Sequence, residues 1–233
     1  MERDRLAEFD NHLLDGLEFC SKVYALFEEI RNRQDGPSRL RMRPSPLEKK
    51  LLEELLPICN YVQTSYRIGR YISVRWINGN QTYDAAIEQR GAYVSKHYYP
   101  AEAYLEVTCA MHPKEYLKRE MLERHGHCFG LEGIRRTENG DVESVSVGLD
   151  GKEFIAQYAK LVLDLIQKKT KMPYPPDTTL IVQCTMNTVY MLDEWKEFIS
   201  RIKQGFTATS FREIYFYDNI GRYSETMYPS VDT

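Results

Sequence analysis

Two carboxylates pose the chemical question in this chain. Asp84 lies in the run Gln81-Thr82-Tyr83-Asp84-Ala85-Ala86-Ile87 and Glu106 in Ala103-Tyr104-Leu105-Glu106-Val107-Thr108-Cys109, and both runs read as strands. Carboxylates are depleted from strand interiors, so two of them on neighbouring strands need a reason. Side chains alternate across a strand, which puts Thr82, Asp84 and Ala86 on one side of the first run and Tyr104, Glu106, Thr108 and Ala110 on one side of the second. If the two sides coincide, the acids converge, and converging carboxylates repel unless a cation or a shared proton compensates. Oxygen ligands of this kind suit Mg2+ or Mn2+. A plainer reading has each acid solvated on an exposed sheet face or paired with a cross-strand cation such as Arg75.

Other groupings suggest other chemistry. Arg39, Arg41 and Arg43 form one short cationic cluster and Lys168, Lys169 and Lys171 another; either can meet phosphates, and each also reads as a solvated loop or helix end. His112, His125 and His127 with Cys109 and Cys128 invite zinc, but no CxxC or HxxxH interval accompanies them. No local motif sets a Cys beside a base for nucleophilic catalysis. The 17 Tyr and 9 Phe would serve base stacking or a protein contact, yet most fall at core-compatible positions.

The elements that must position the acids follow from hydrophobic spacing. Residues 4–33 place Leu6, Phe9, Leu13, Leu17, Cys20, Tyr24 and Phe27 three and four apart, which predicts one long amphipathic helix able to dock on its own domain or to associate with a protein partner or a second copy. Gln34 to Pro44 reads as a loop and as the boundary between residues 1–44 and 45–233. Ser45-Pro46-Leu47-Glu48 is a capping box that starts a helix running to about Leu56, where Pro57 kinks or ends it. Leu47, Leu51, Leu55 and Ile58 form its buried stripe, with Glu54 on the flank, where it reads first as a solvated helix edge and otherwise as looking into a site.

Arg70 to Ile77 and the Asp84 run then form a hairpin turning at Asn78-Gly79. A Tyr-rich loop (Tyr93, Tyr98, Tyr99) leads to the Glu106 strand, and His112-Pro113 opens a helix closing near Gly126. A second hairpin turns at Asn139-Gly140, with Val142, Val145 and Val147 in its return limb. A helix spans about Lys152 to Lys171, a doubly covered strand Thr178 to Cys184, a helix about Leu192 to Ile202 and a strand Phe211 to Tyr217. This order predicts an α/β fold, a mixed central sheet flanked by helices.

In order and motif, roughly residues 45 to 185 resemble the restriction-endonuclease-like, or PD-(D/E)XK, nuclease superfamily. The resemblance implies that Asp84 is the first acid and Glu106-Val107-Thr108 the acid-x-Lys motif, together holding one or two divalent metals that activate water against a phosphodiester. Thr108 stands where the superfamily has Lys, and Tyr83 where its motif has Pro. A Thr hydroxyl positions water but supplies no charge at phosphorus. Some branches move the Lys to a nearby helix; here Lys114 and Lys169 are the candidates for that role, and each also reads as a surface cation. The implied function is a Mg2+- or Mn2+-dependent phosphodiesterase, a hydrolase cutting DNA or RNA, with Asp84 and Glu106 as metal ligands and Thr108 as a catalytic residue. The alternative is a non-catalytic protein of the same fold that binds a protein or nucleic acid.

Composition sets outer bounds. At 233 residues the chain can bury one substantial core, with or without a helical appendage, and its 31 Lys plus Arg against 34 Asp plus Glu exclude a broadly basic nucleic-acid coat. Five widely spaced Cys fit reduced thiols. No apolar run approaches the ~20 residues that cross a bilayer, and Met1-Glu2-Arg3-Asp4-Arg5 does not begin a signal peptide, so the expectation is a cytoplasmic protein with no membrane contact.

Overall fold

The structure is a computed structural model and describes residues 2–148, 150–185, 191–220 and 223–229. Its centre is a seven-stranded mixed sheet flanked by helices, as expected. The strands are β1 (Leu13–Asp15), β2 (Tyr71–Trp76), β3 (Ala85–Arg90), β4 (Glu102–Ala110), β7 (Thr178–Cys184), β8 (Glu213–Asp218) and β9 (Ser224–Met227), lying side by side in that order. β1 to β4 are antiparallel, the β4–β7 and β7–β8 pairs are parallel, and β9 returns antiparallel to β8. β5 (Ile134–Arg136) and β6 (Val142–Ser144) form a separate ladder around the expected turn, with Gly140 at φ 88°; Val145 and Val147 lie beyond β6 and are exposed.

Alternation divides the sheet between two helical layers. Ile72, Val74 and Trp76 of β2, Leu105 and Val107 of β4 and Ile181 of β7 face one core. That core is covered by α2 (Gly16–Arg31), α4 (Pro46–Lys50) and α5 (Leu56–Ser65). Ala110, Leu180, Val182 and Phe216 face the other, covered by α8 (Gly151–Thr170) and α9 (Leu192–Gly205). The short α6 (Ala92–Ser95) lies between β3 and β4, and α7 (Glu115–His125) closes on Gly126, whose φ of 73° suits the left-handed helix cap. Among the described residues no helix is long and apolar enough to cross a membrane.

The N-terminal segment corrects the sequence reading in three ways. The expected helix over residues 4–33 is interrupted: α1 (Glu2–Ala7) ends before Asn11, at φ 58°, then β1 adds an edge to the sheet, and the Asp15 carboxylate caps α2 by accepting the Leu17 amide at 3.0 Å. The interruption rephases the apolar stripe, so α2 buries Phe19, Val23, Leu26 and Ile30 and leaves Leu17 and Tyr24 exposed. Leu6, Phe9 and Phe19 share one core with Trp76 and Val107, so residues 1–44 build the sheet domain itself. Gly16 explains how closely α2 approaches: a Cβ there would meet the Ile72 carbonyl oxygen at 2.7 Å and Val62 Cγ1 at 2.8 Å.

The expected loop before Pro44 contains a further helix, α3 (Gly36–Met42), and its arginines are engaged. Arg39 pairs with Glu48, Arg41 with Glu123 and Arg43 with Glu53, the last two at 2.7 Å. Ser45 and Glu48 form the expected capping box. Pro57 does not end the helix that follows. Instead, Leu51–Leu55 make a π-helical turn in which the Leu56 amide reaches back to the Leu51 carbonyl, and α5 continues to Ser65. Proline lacks the N–H that would have bonded the Glu53 carbonyl, and the Cys109 thiol lies 3.7 Å from that oxygen in its place.

The end of the sheet where β2 begins is locked by a buried polar network. Arg70 donates to Gln89 at 2.8 Å and to the Tyr61 hydroxyl at 2.9 Å, Tyr61 donates to Glu213 at 2.5 Å, and Thr179 donates to the same carboxylate at 3.1 Å.

Candidate metal centre

Asp84 is fixed by the turn before it. β3 begins at Ala85, so Thr82, Tyr83 and Asp84 lie in the connection from β2 and not in the strand expected there. Gln81 Nε2 braces this connection by donating to the carbonyls of Ile77 and Tyr83, both at 2.8 Å. The Asp84 carbonyl accepts from Ile77 at 3.0 Å and its amide donates to Leu105 at 2.8 Å, so its backbone is held as firmly as a strand residue.

The β3–β4 register runs from Glu88↔Glu102 to Ala85↔Leu105 and stops there, while β4 continues to Ala110 beside β7 alone. Asp84 fills the place of the missing strand: its Oδ2 accepts the Val107 amide at 2.7 Å. The next residues on this side of β4, Glu106 at 6 % exposure and Thr108 at 9 %, line the same cavity of about 490 Å3 as Asp84. Lys168 and Lys169, at the end of α8, and Tyr174, just beyond it, complete its wall. The structure therefore brings Asp84, Glu106 and Thr108 together.

Lys169 reaches across from α8 and ion-pairs with Glu106, and Tyr174 stands in the same cavity wall, near enough to act on that carboxyl. Burial pushes the Glu106 carboxyl above its ordinary value, with Glu54 adding to the rise and Lys169 and Tyr174 opposing it. Asp84 is moved further, up to about 7, first by burial and then by the charges of Glu106 and Glu54. The Val107 amide and Lys169 only partly offset this. Glu54 projects from the π-helical turn, its carboxylate accepting from Trp76 Nε1 at 3.1 Å and from Lys50 at 2.6 Å, and it acts on both acids as a neighbouring charge.

Such a donor set fits a hard divalent cation. Oxygen donors predominate, and Asp84, raised to about 7 by burial and then by the charges of Glu106 and Glu54, would gain a compensating charge if a cation bound. Mg2+ commonly takes one or two carboxylates and keeps several waters. Among the described residues no group of three or more His, Cys, Asp or Glu is arranged to hold a metal ion. The zinc grouping is dispersed by other contacts: His112 Nε2 lies 3.4 Å from Glu132 and His127 Nδ1 lies 2.9 Å from the His125 carbonyl.

The remaining sequence candidates separate cleanly. Lys114 donates to the Glu132 carbonyl at 2.8 Å, away from the acids, leaving Lys169 as the ammonium of the centre. Arg75 lies 4.0 Å from Glu88 and does not pair with Asp84. Tyr174 and the Val107 amide escaped the sequence reading. Tyr174 stands between Pro173 and Pro175, a rigid break that turns the chain back after α8, but nothing in that spacing names its partner.

Comparisons of this chain with protein-family models, with curated proteins and with solved structures returned no match.

Proposed function

We propose that this protein is a Mg2+-dependent phosphodiesterase that cuts DNA or RNA, built on a restriction-endonuclease-like core. The observation that carries the reading is the meeting of Asp84 and Glu106 in one cavity, with Lys169 delivered to Glu106 from α8. The order α5, β2, β3, β4, α8, β7, interrupted by α6 after β3 and by α7, β5 and β6 after β4, with β7 parallel to β4, supports it. Asp84 and Glu106 would hold the metal, with Mn2+ as a substitute, and a bound cation supplies Lewis acidity to a phosphoryl oxygen and acidifies an attached water. Lys169 brings positive charge to the cavity, where it offsets charge gathering on the phosphoryl group. Thr108 offers its hydroxyl to orient water. The free thiols of all five Cys agree with a reducing compartment such as the cytoplasm.

One observation favours a second reading. Lys169 already neutralises Glu106, so the centre has partial compensation without metal, as a non-catalytic member of the fold that binds nucleic acid or protein would need. The deciding experiment is cleavage of labelled single-stranded and duplex DNA and RNA with Mg2+ or Mn2+. Cleavage that stops with EDTA and in Asp84→Asn supports the enzyme; its absence on every substrate with either metal supports the binding protein.

A further inference from the structure

A second, larger cavity of about 640 Å3 runs on from the acid centre, and the two share Leu165 and Lys168 in their walls. It lies between α8 and the first turn of α7, and Met111, Pro113 and Leu161 make much of it apolar. Tyr116 stands on its rim with 63 % of its surface exposed. Behind that ring the buried Arg119 guanidinium lies 5.5 Å from the ring centroid, a cation–π contact that braces the ring from the protein side.

Charge along the groove is uneven in an informative way. Lys160 is paired with Asp164 at 3.1 Å, whereas Lys168 is exposed and makes no ion pair among the described residues. Lys168 is also the cation shared by both cavities. The sequence of features along the groove is therefore carboxylates and Lys169, then a spare ammonium, then an apolar slot with an aromatic rim. A polynucleotide repeats the complementary order of phosphate and flat apolar base. In a duplex the base faces are stacked and hidden, so only a single strand can present one to an apolar slot.

We propose, on the basis of the nuclease reading above, that the substrate is single-stranded nucleic acid, with the base beside the scissile phosphate stacked on Tyr116 in this groove and Lys168 meeting the neighbouring phosphate. DNA and RNA share this chemistry.

The test is fluorescence anisotropy with a short fluorescein-labelled oligothymidylate, an oligouridylate and a hairpin duplex, with Ca2+ in place of Mg2+ so that binding is read apart from cleavage. One or both single strands bind at least about tenfold more tightly than the duplex, Tyr116→Ala weakens that binding about tenfold, and Tyr116→Phe retains it. Lys168→Ala lowers the slope of log affinity against log salt by roughly 0.7. Both side chains are exposed, and matching thermal unfolding of the variants verifies that they fold. Equal affinity for duplex and single strands, or a Tyr116→Ala protein that binds like wild type, overturns the inference. If metal-dependent cleavage persists in that case, the nuclease reading survives without it. Tyr116-dependent binding of single strands by a protein that never cleaves supports the groove and removes the nuclease reading.

Discussion

Asp84 Oδ2 accepts the backbone N–H of Val107 at 2.7 Å, the donor left open where β3 stops and β4 continues. One carboxylate thus completes the edge of a sheet and faces Glu106 across the same cavity. Its structural duty fixes its position, and its position raises its affinity for protons.

Stability should fall as pH rises through the titration of Asp84. In the folded protein this carboxyl keeps its proton up to about pH 7, whereas its ordinary value is 3.8, so between these limits the folded state binds more protons than the unfolded one. The advantage is complete below pH 3.8 and is lost as pH passes 7. Asp84→Asn keeps an acceptor for Val107 without the charge. Urea unfolding in EDTA at pH 8 should find it more stable than wild type by on the order of 2–4 kcal/mol, and the gap should close toward pH 4. A gap independent of pH would refute this account.

Metal and proton should compete for the same carboxylate. Titration calorimetry should show Mg2+ or Mn2+ binding more weakly at pH 6 than at pH 8, with protons released on binding. Asp84→Ala and Glu106→Ala should each abolish it. Identical isotherms for wild type and both variants would remove the metal centre.

Lys169→Met should cut turnover by about a hundredfold if Lys169 supplies the charge that Thr108 cannot. It also leaves Glu106 buried without its cation, so stability at pH 8 should drop by roughly 1–3 kcal/mol. Thr108→Lys placed in the same protein restores an ammonium from β4. Recovery of activity by the double variant, and none by Lys169→Met alone, is the expected pattern; equal activity of Lys169→Met and wild type would assign the role elsewhere.

Gly16→Ala should destabilise the protein by about 2–3 kcal/mol, because the added methyl group overlaps the Ile72 carbonyl oxygen, which is backbone and cannot turn aside. Denaturant midpoints with an unchanged slope would check this. An unaffected midpoint would mean that α2 can lift off the sheet without penalty.

Alternation along β4 was enough to put Glu106 and Thr108 on one side, and the capping box at Ser45 and the Gly126 stop were legible because they are local chemistry. β1 was not legible: its three residues sit inside spacing that also satisfies a helix, and only pairing with β2 favours the extended form. The α3 arginines read as spare charge because their partners, Glu48, Glu53 and Glu123, lie up to 82 residues away along the chain. Lys169 was named from the sequence as a candidate ammonium, but its pairing with Glu106 was not readable, because it depends on how α8 crosses β4, which no spacing within α8 records. Of the two outcomes open to Pro57, ending the helix did not occur: the helix is disturbed by a π-helical turn just before it and continues, with the Cys109 thiol near the carbonyl that lost its N–H partner.

The short ladder between β3 and β4 also has a mechanical meaning. Four register pairs join one half of the sheet, β1 to β3, to the other, β4 to β9, and the bonds of Arg70 with Gln89 and Tyr61 and of Tyr61 with Glu213 tie one end of that seam. At the other end two bonds from Asp84, to Leu105 and Val107, hold the halves together. The acids thus lie at the tips of this seam, at the end opposite the Arg70 network. Amide hydrogen exchange should be fastest, among these strands, at Asp84 and Val107 and slowest toward Gln89, and a cation bridging the tips should slow it.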